Sequence, residues 1–261
     1  MTKDVKLTQR GADILISALR ARFTPRSSSP TGVCSPIGEP PRQTFAMEDP
    51  GSQHRSVRRS YDSVAEEYLA SFGDELSSKP LDRALLACLA EQAENGAPIA
   101  DVGCGPGHVA AWLAARGVTA VGIDLSPSMI ATGRRHYPQV EFRQGDLLQL
   151  PAENGEFAAV IAFYSIIHLE PSELRPVFEE IHRVLRPCGR LLVSFHLGSE
   201  VRHLDQWWGH AVDVDFHFFE PPVIAETLER AGFRTEMRLE RTSYPGEVET
   251  RRAYLLAQRR P

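Results

Sequence analysis

Residues 101–117 read DVGCGPGHVAAWLAARG. With residues 98–100 (PIA) in front, the start is a short apolar strand, and HVAAWLAARG from His108 reads as a helix closed by Gly117. Glycine is the residue that best tolerates a left-handed helix cap. Between the two lies a turn with Gly103, Gly105 and Gly107 at alternate positions. A strand feeding a helix through a glycine turn is the repeating unit of an α/β sheet.

The chain on either side keeps that rhythm. Upstream, RRSYDSVAEEYLASF (58–72) and LDRALLACLAEQA (81–93) read as two helices. Downstream, VTAVGIDL (118–125) is a strand, and Ser126 is placed to cap the helix SPSMIATGRRHY, with Pro127 at its first position. VEFRQGD (140–146) is a third strand. FAAVIAFYSII (157–167) is a fourth, apolar throughout as a strand covered on both faces must be. Ser172 is expected to cap SELRPVFEEIHRVL; GRLLVSFHL (189–197) is a fifth strand; PPVIAETLERAG (221–232) is a helix; and FRTEMRLERTSY and RRAYLLAQRR close the chain as alternating segments. Strands and helices alternating at this spacing predict a doubly wound, mainly parallel sheet with right-handed crossovers.

In such a sheet, ligands bind outside the carboxyl ends of the strands. Those ends here read Asp101-Val-Gly103-Cys-Gly105, Asp124-Leu125 and Gly145-Asp146-Leu147, so three successive strands each end on a carboxylate. A dinucleotide-binding oxidoreductase also has a glycine turn and an acidic residue at its second strand. Its turn brings a pyrophosphate onto a helix N-terminus through G-x-G-x-x-G, whereas here His108 holds the place of the third glycine. Carboxylates repel a pyrophosphate and suit a cationic ligand rich in donors. S-adenosylmethionine (SAM), with its sulfonium, ammonium, ribose hydroxyls and adenine amine, is such a ligand.

DVGCGPGHVAAWLAARG, VGIDLSPSMI, GDLLQLP, FAAVIAFYSIIHL and RVLRPCGRLLVSF, in that order, resemble the successive motifs of class I SAM-dependent methyltransferases, over roughly residues 60–260. The resemblance implies a Rossmann-like, seven-stranded sheet with the last strand antiparallel. It further implies that Gly103 and Gly105 approach the methionine part of SAM, that Asp101 meets its ammonium, and that Asp124 takes the ribose hydroxyls while Leu125 packs on adenine. Asp146 would accept from the adenine amine, the Leu147 amide would donate to a ring nitrogen, and Phe163 would sit near the methionine moiety. YDSVAEEY resembles the helix that closes over SAM in small-molecule methyltransferases, which makes Tyr61 a cofactor contact; its spacing with Tyr68 is equally that of a plain amphipathic stripe.

Methyl transfer needs alignment and exclusion of water more than covalent chemistry, with a base wherever the acceptor must lose a proton. His168, just past the fourth strand, is the candidate, since an unperturbed imidazole titrates near neutrality; the other reading is a histidine that bonds a loop. His196, after the fifth strand, is a weaker candidate. Tyr164 is expected to orient substrate. Residues 198–222 (GSEVRHLDQWWGHAVDVDFHFFEPP) fall where this family places substrate-covering elements, so Trp207 and His217 are expected at the acceptor, among an aromatic set that walls an apolar pocket. The competing reading makes VDVDFHFF an amphipathic strand packed on the core. His203, His210 and His217 recur every seven residues, but the segment does not read as one helix, and no metal site is expected. A SAM-binding regulatory protein without transferase activity is the remaining alternative.

The full chain has 261 residues, with 29 Lys/Arg and 34 Asp/Glu. Residues 1–60 hold ten basic and five acidic groups, leaving 19 against 29 in residues 61–261. A body that acidic disfavours a nucleic-acid partner, and AFYSII lacks the [DNS]-P-P-[YFW] signature of base-methylating enzymes; a small-molecule acceptor is expected. No apolar run approaches the roughly 20 residues of a membrane span, the N-terminus does not read as a secretory signal, and four scattered cysteines fit a reducing cytoplasm. Residues 7–23 are expected as one amphipathic helix, or else as an extension ahead of a true start at Met47. Residues 24–53, rich in Pro, Ser and Gly, are expected as a disordered linker. The boundary is drawn between an extension, 1–56, and a methyltransferase domain, 57–261.

Overall fold

The structure, a computed structural model, describes residues 50–93 and 96–260. Its centre is β4 (Phe157–Phe163), whose FAAVIAF run is almost wholly buried. Burying each large side chain of such a strand contributes roughly 1.5–3 kcal/mol. Around it lies a seven-stranded sheet in the order β3-β2-β1-β4-β5-β9-β8. The other strands are β1 (Ile99–Val102), β2 (Ala120–Asp124), β3 (Glu141–Gln144), β5 (Leu185–His196), β8 (Phe233–Arg241) and β9 (Arg252–Arg259). β1, β2, β3, β4 and β5 pair in parallel, and β9 alone runs against its neighbours β5 and β8. The expected mainly parallel sheet with its last strand antiparallel is what is found.

Helices cover both faces. α3 (Pro80–Gln92) and α4 (His108–Ala114) bury their apolar residues with Ile99, Ile161 and Leu192 on one side. α6 (Leu174–Val184) and α7 (Pro221–Arg230) pack with Val160, Leu191 and Leu255 on the other. α5 (Pro127–His136) starts as expected, Ser126 accepting from the Met129 amide with Pro127 at the first position. α6 differs: it begins at Leu174, and Ser172 makes no cap. Glu173 stands at the cap position without a side-chain bond to the helix; its carboxylate takes the Glu170 amide instead.

Three further differences shape the site. The helix expected over 58–72 is two, α1 (Pro50–Ser63) and α2 (Ala65–Phe72), broken at Val64. α1 begins ahead of the boundary expected at 57 and includes residues 50–53, which had been assigned to the linker; the helix expected over 7–23 and the rest of the linker lie outside the described residues. The fourth strand stops at Phe163: Tyr164 turns the chain with φ +53, and Ile166–His168 form one 3-10 turn. Finally, residues 201–217 form an antiparallel hairpin, β6 (Val201–Trp207) and β7 (His210–His217), separate from the main sheet. α1, α2 and this hairpin share a third apolar cluster built on Val64, Met129, Leu204, Trp207 and Val214. They form a cap over the carboxyl ends of the strands. No helix among the described residues is long and apolar enough to cross a membrane.

Candidate functional site

A cavity of about 820 Å3 lies between the strand ends and this cap. Its lining includes Asp101, Gly103, Gly105, Asp124, Leu125, Asp146, Leu147 and Phe163, and also Tyr61, Tyr164, His168 and Trp207. Residues far apart in sequence converge there because a parallel sheet brings its carboxyl ends to one edge.

The glycine turn fits a close ligand. Gly103 has φ +68, and a Cβ built there would stand 2.3 Å from the Ser165 Cβ, so only glycine lets the ends of β1 and β4 meet. Gly105 has φ +55, and its missing Cβ faces the Tyr68 ring at 3.6 Å.

The three carboxylates differ in environment. Asp101 is 2% exposed, and its Oδ2 has no hydrogen-bond partner. Burial pushes its carboxyl up to about 7, with nearby Asp124 adding to the shift and His108 and the Ala110 amide opposing it. Asp124 accepts from the Gly105 amide at 2.7 Å and from the Ser126 amide at 2.8 Å, so it ties the glycine turn to the second strand end. Burial still raises it to about 6. Asp146 is the exception. Burial pushes it up as well, but His54 Nδ1 at 2.8 Å and the Leu148 amide hold it below the usual carboxylate value.

His168 reaches the cavity, but not as a base open to an acceptor. Its Nδ1 lies 2.9 Å from the Asp215 carbonyl and its Nε2 2.8 Å from the Tyr61 hydroxyl. A carbonyl only accepts, so Nδ1 carries the proton. Burial lowers the ring to about 4, so Nε2 is bare near neutrality and Tyr61 donates to it. Both nitrogens of His168 are thus engaged, Nε2 by the Tyr61 hydroxyl and Nδ1 by the Asp215 carbonyl.

Strand alternation sorts the hairpin. Leu204, Trp207, Phe216 and Phe218 line the cavity; His217 does not. It is 5% exposed, stacks on Phe219 and sits 3.7 Å from the Glu170 carboxylate. It lies off the cavity lining, where its neighbours Phe216 and Phe218 take the inward face. Trp207 stacks on Trp208 at 4.8 Å and meets Tyr61 edge-on at 5.6 Å. No cluster of three or more His, Cys, Asp or Glu among the described residues is placed to hold a metal.

Several residues of the site carry no local signal in the sequence. Asp62 accepts from the Ser126 hydroxyl at 2.6 Å and the Ser128 amide at 3.1 Å, tying α1 to the start of α5. His54 bridges Asp146 and Glu173, the latter at 3.0 Å. Glu75 joins His108 at 3.0 Å and Lys79 at 2.7 Å. Burial would raise the Glu75 carboxyl, but these partners hold it at about 2. Glu247, between β8 and β9, takes both Arg241 nitrogens at 2.6 and 2.9 Å and stands 3.3 Å from Lys79.

Residues 99–189 match the family model described as a methyltransferase domain. A demethylmenaquinone methyltransferase of Chlorobaculum tepidum is 34% identical over 141 residues, covering 51% of this chain and 57% of that one. A malonyl-[acyl-carrier protein] O-methyltransferase of Enterobacter lignolyticus is 29% identical over 175 residues, 66% of each. The chain spans about half the length of the first relatives it matches. Among solved structures, a 1,6-didemethyltoxoflavin-N1-methyltransferase of Burkholderia thailandensis, with its substrate and S-adenosylhomocysteine bound, superposes with a TM-score of 0.63 at 20% identity, over 88% of this chain and 94% of that one. Motif order, sheet topology and these matches agree: residues 99–189 match a methyltransferase domain, and the chain has the fold of the class I SAM-dependent methyltransferases.

Proposed function

We propose that this protein transfers a methyl group from SAM to a small-molecule acceptor. The observation that carries the reading is the set of carboxylates at the ends of β1, β2 and β3, all lining one capped cavity. Asp101, with a buried oxygen lacking any partner, is ready for an ammonium. Asp124, a buried carboxylate held in place by the Gly105 and Ser126 amides, suits the ribose hydroxyls. Asp146 suits the adenine amine, with the Leu147 amide beside it and Leu125 as an apolar wall. Phe163 and Tyr61 would border the methionine end. A pyrophosphate in the same place would face three carboxylates, which argues against a dinucleotide.

When bound, SAM supplies a methyl carbon on a sulfonium, an activated leaving group. The chain's contribution is alignment and dryness: Tyr61, Tyr68, Trp207 and Phe216 close over the cavity, and His168 fixes the Tyr61 hydroxyl. Trp207, Trp208, Phe216 and Phe218 give the acceptor an aromatic wall, and Tyr164 flanks it. The test is calorimetric titration with SAM, S-adenosylhomocysteine and NAD. Binding of the first two, weakened by Asp124→Ala, supports the reading. Binding of NAD alone refutes it, and SAM binding with no turnover across a broad acceptor panel would favour a regulatory protein.

A further inference from the structure

Beyond the cofactor loops the cavity ends in a second polar region, built from His196 at the end of β5, Thr250 and Arg252 at the start of β9, Arg202 of β6, and Lys79 and Glu247. His196 is held there on three sides. Its ring lies 5.1 Å from Phe218 in a stack and 5.1 Å from Tyr164. Its Nδ1 meets the Thr250 hydroxyl at 2.9 Å, the one side-chain hydrogen bond Thr250 makes among the described residues. Its Nε2 has no hydrogen-bond partner among them.

The charges around this ring are unequal. Arg252, 4% exposed, directs its guanidinium at the Thr250 and Val248 carbonyls at 2.8 and 3.0 Å, and its Nε stands 3.4 Å from the Glu247 carboxylate. Arg202 lies over the Phe218 ring at 4.3 Å and pairs with the exposed Glu200. Lys79 is shared between Glu75 and Glu247. Glu247 acts on His196 in the opposite sense and pairs with Arg241; the buried Asp82 stands 3.4 Å from Arg241. Burial, then Arg252 and Arg202, hold the His196 ring at about 3, with Lys79 acting in the same sense and Glu247 opposing. The imidazole is neutral, with Arg252, Arg202 and Lys79 near it and Glu247 opposing them.

We propose that this region is an oxyanion subsite, in which His196 donates from Nε2 to the acceptor's nucleophilic oxygen, bound as a phenolate, enolate or carboxylate. That role uses the Nε2–H tautomer, in which the Thr250 hydroxyl, able to donate or accept, donates to Nδ1. The inference rests on the methyl-transfer reading above and names the atom methylated. An oxygen lone pair forms the O–CH3 bond as the carbon–sulfur bond breaks, and sulfur keeps the electron pair. The sulfonium becomes a neutral thioether and the acceptor a neutral ether or ester, with no proton left to remove. Neither His168 nor His196 is then asked to act as a base, which agrees with burial lowering the basicity of both rings.

The test is titration of the protein, saturated with S-adenosylhomocysteine, with 4-nitrophenol at a pH where it is ionised, with 4-nitrobenzoate, and with the neutral isosteres 4-nitroaniline and nitrobenzene. The anions are expected to bind about tenfold or more tighter than the neutral probes, the scale of one charged hydrogen bond. His196→Phe keeps the ring stack and should erase most of that preference while leaving the neutral probes unchanged; His196→Gln, which still donates, should restore part of it. Equal binding of neutral and anionic probes, no anion binding, or an unchanged preference in His196→Phe overturns the proposal. Failure to bind S-adenosylhomocysteine at all is read in the first titration, and it strikes the methyl-transfer reading instead.

Discussion

Asp101 should make cofactor binding release protons. Its carboxyl is pushed up to about 7 by burial, and its Oδ2 has no partner. In the free protein near pH 7 it is therefore about half protonated. A ligand ammonium against that oxygen favours the charged form, and an opposite charge at contact lowers a carboxyl by about 1–3 units. Above pH 7 the carboxylate is ready and affinity is full; as pH falls below 7, the ligand must first displace a proton. Each unit then costs up to ~1.4 kcal/mol, a factor of ten. Between pH 7.5 and 5.5 the affinity for S-adenosylhomocysteine should fall about tenfold or somewhat more, and roughly half a proton should leave per molecule bound at pH 7. Calorimetry in two buffers of different ionisation enthalpy measures that proton directly. Asp124, raised to about 6, adds a weaker dependence in the same direction, so the comparison with Asp101→Asn isolates Asp101. An affinity flat from pH 5.5 to 7.5, or equal proton release in Asp101→Asn, would refute the pairing of Asp101 with a ligand cation.

Asp124→Ala should weaken SAM binding by roughly 1.5–3 kcal/mol and lower the melting temperature, since the Gly105 and Ser126 amides lose their acceptor; unchanged affinity by calorimetry would remove Asp124 from the site. Tyr61→Phe and His168→Phe should each reduce turnover, and the double variant should be little worse than either, because both disrupt one hydrogen bond; additive losses would mean separate roles. Gly103→Ala should destabilise by about 1–3 kcal/mol in thermal unfolding, from the Ser165 contact and the positive φ. His54 is raised above its ordinary value chiefly by its hydrogen bond to Asp146. Its clamp is therefore complete below pH 6.5 and lost as pH rises through the raised value. Hydrogen exchange in residues 50–72 should quicken with pH over that window in the wild type and show no such step in His54→Ala.

The sheet was legible because its signals are local. The apolar run 157–163, the glycine turn and Ser126-Pro127 each fix a structure within a few residues of themselves, and their order then dictates topology. The carboxylates were legible for the same reason, being the last residues of their strands. What the local sequence does not show needs partners distant in sequence. Whether His217 or Phe216 faces inward depends on hairpin register, which its own sequence leaves open by one residue. His168 resembles a free base until Asp215 and Tyr61, 47 and 107 residues away, are seen to occupy it. His54 fell in a stretch whose composition reads as linker, and only the carboxylates across the sheet make it part of a helix that docks.

The cap is fastened by the same loops that line the cavity. Following the chain, His54 meets Asp146 beyond β3, Asp62 meets Ser126 beyond β2, Glu75 meets His108 beyond β1, and Lys79 meets Glu247 between β8 and β9. The cap thus walks along the carboxyl edge of the sheet and takes a polar hold near successive strand ends. Partly exposed pairs of this kind contribute little singly, roughly 0–1 kcal/mol each, so their force lies in geometry. Asp146 and Asp124 can each be drawn into position by a ligand only if the residues tied to them move as well. A variant that cuts a single tie, such as His54→Ala, should therefore weaken S-adenosylhomocysteine binding even though the pocket keeps every other group. Full affinity in that variant, with exchange in residues 50–72 accelerated, would show the cap opening without the site and would break the coupling.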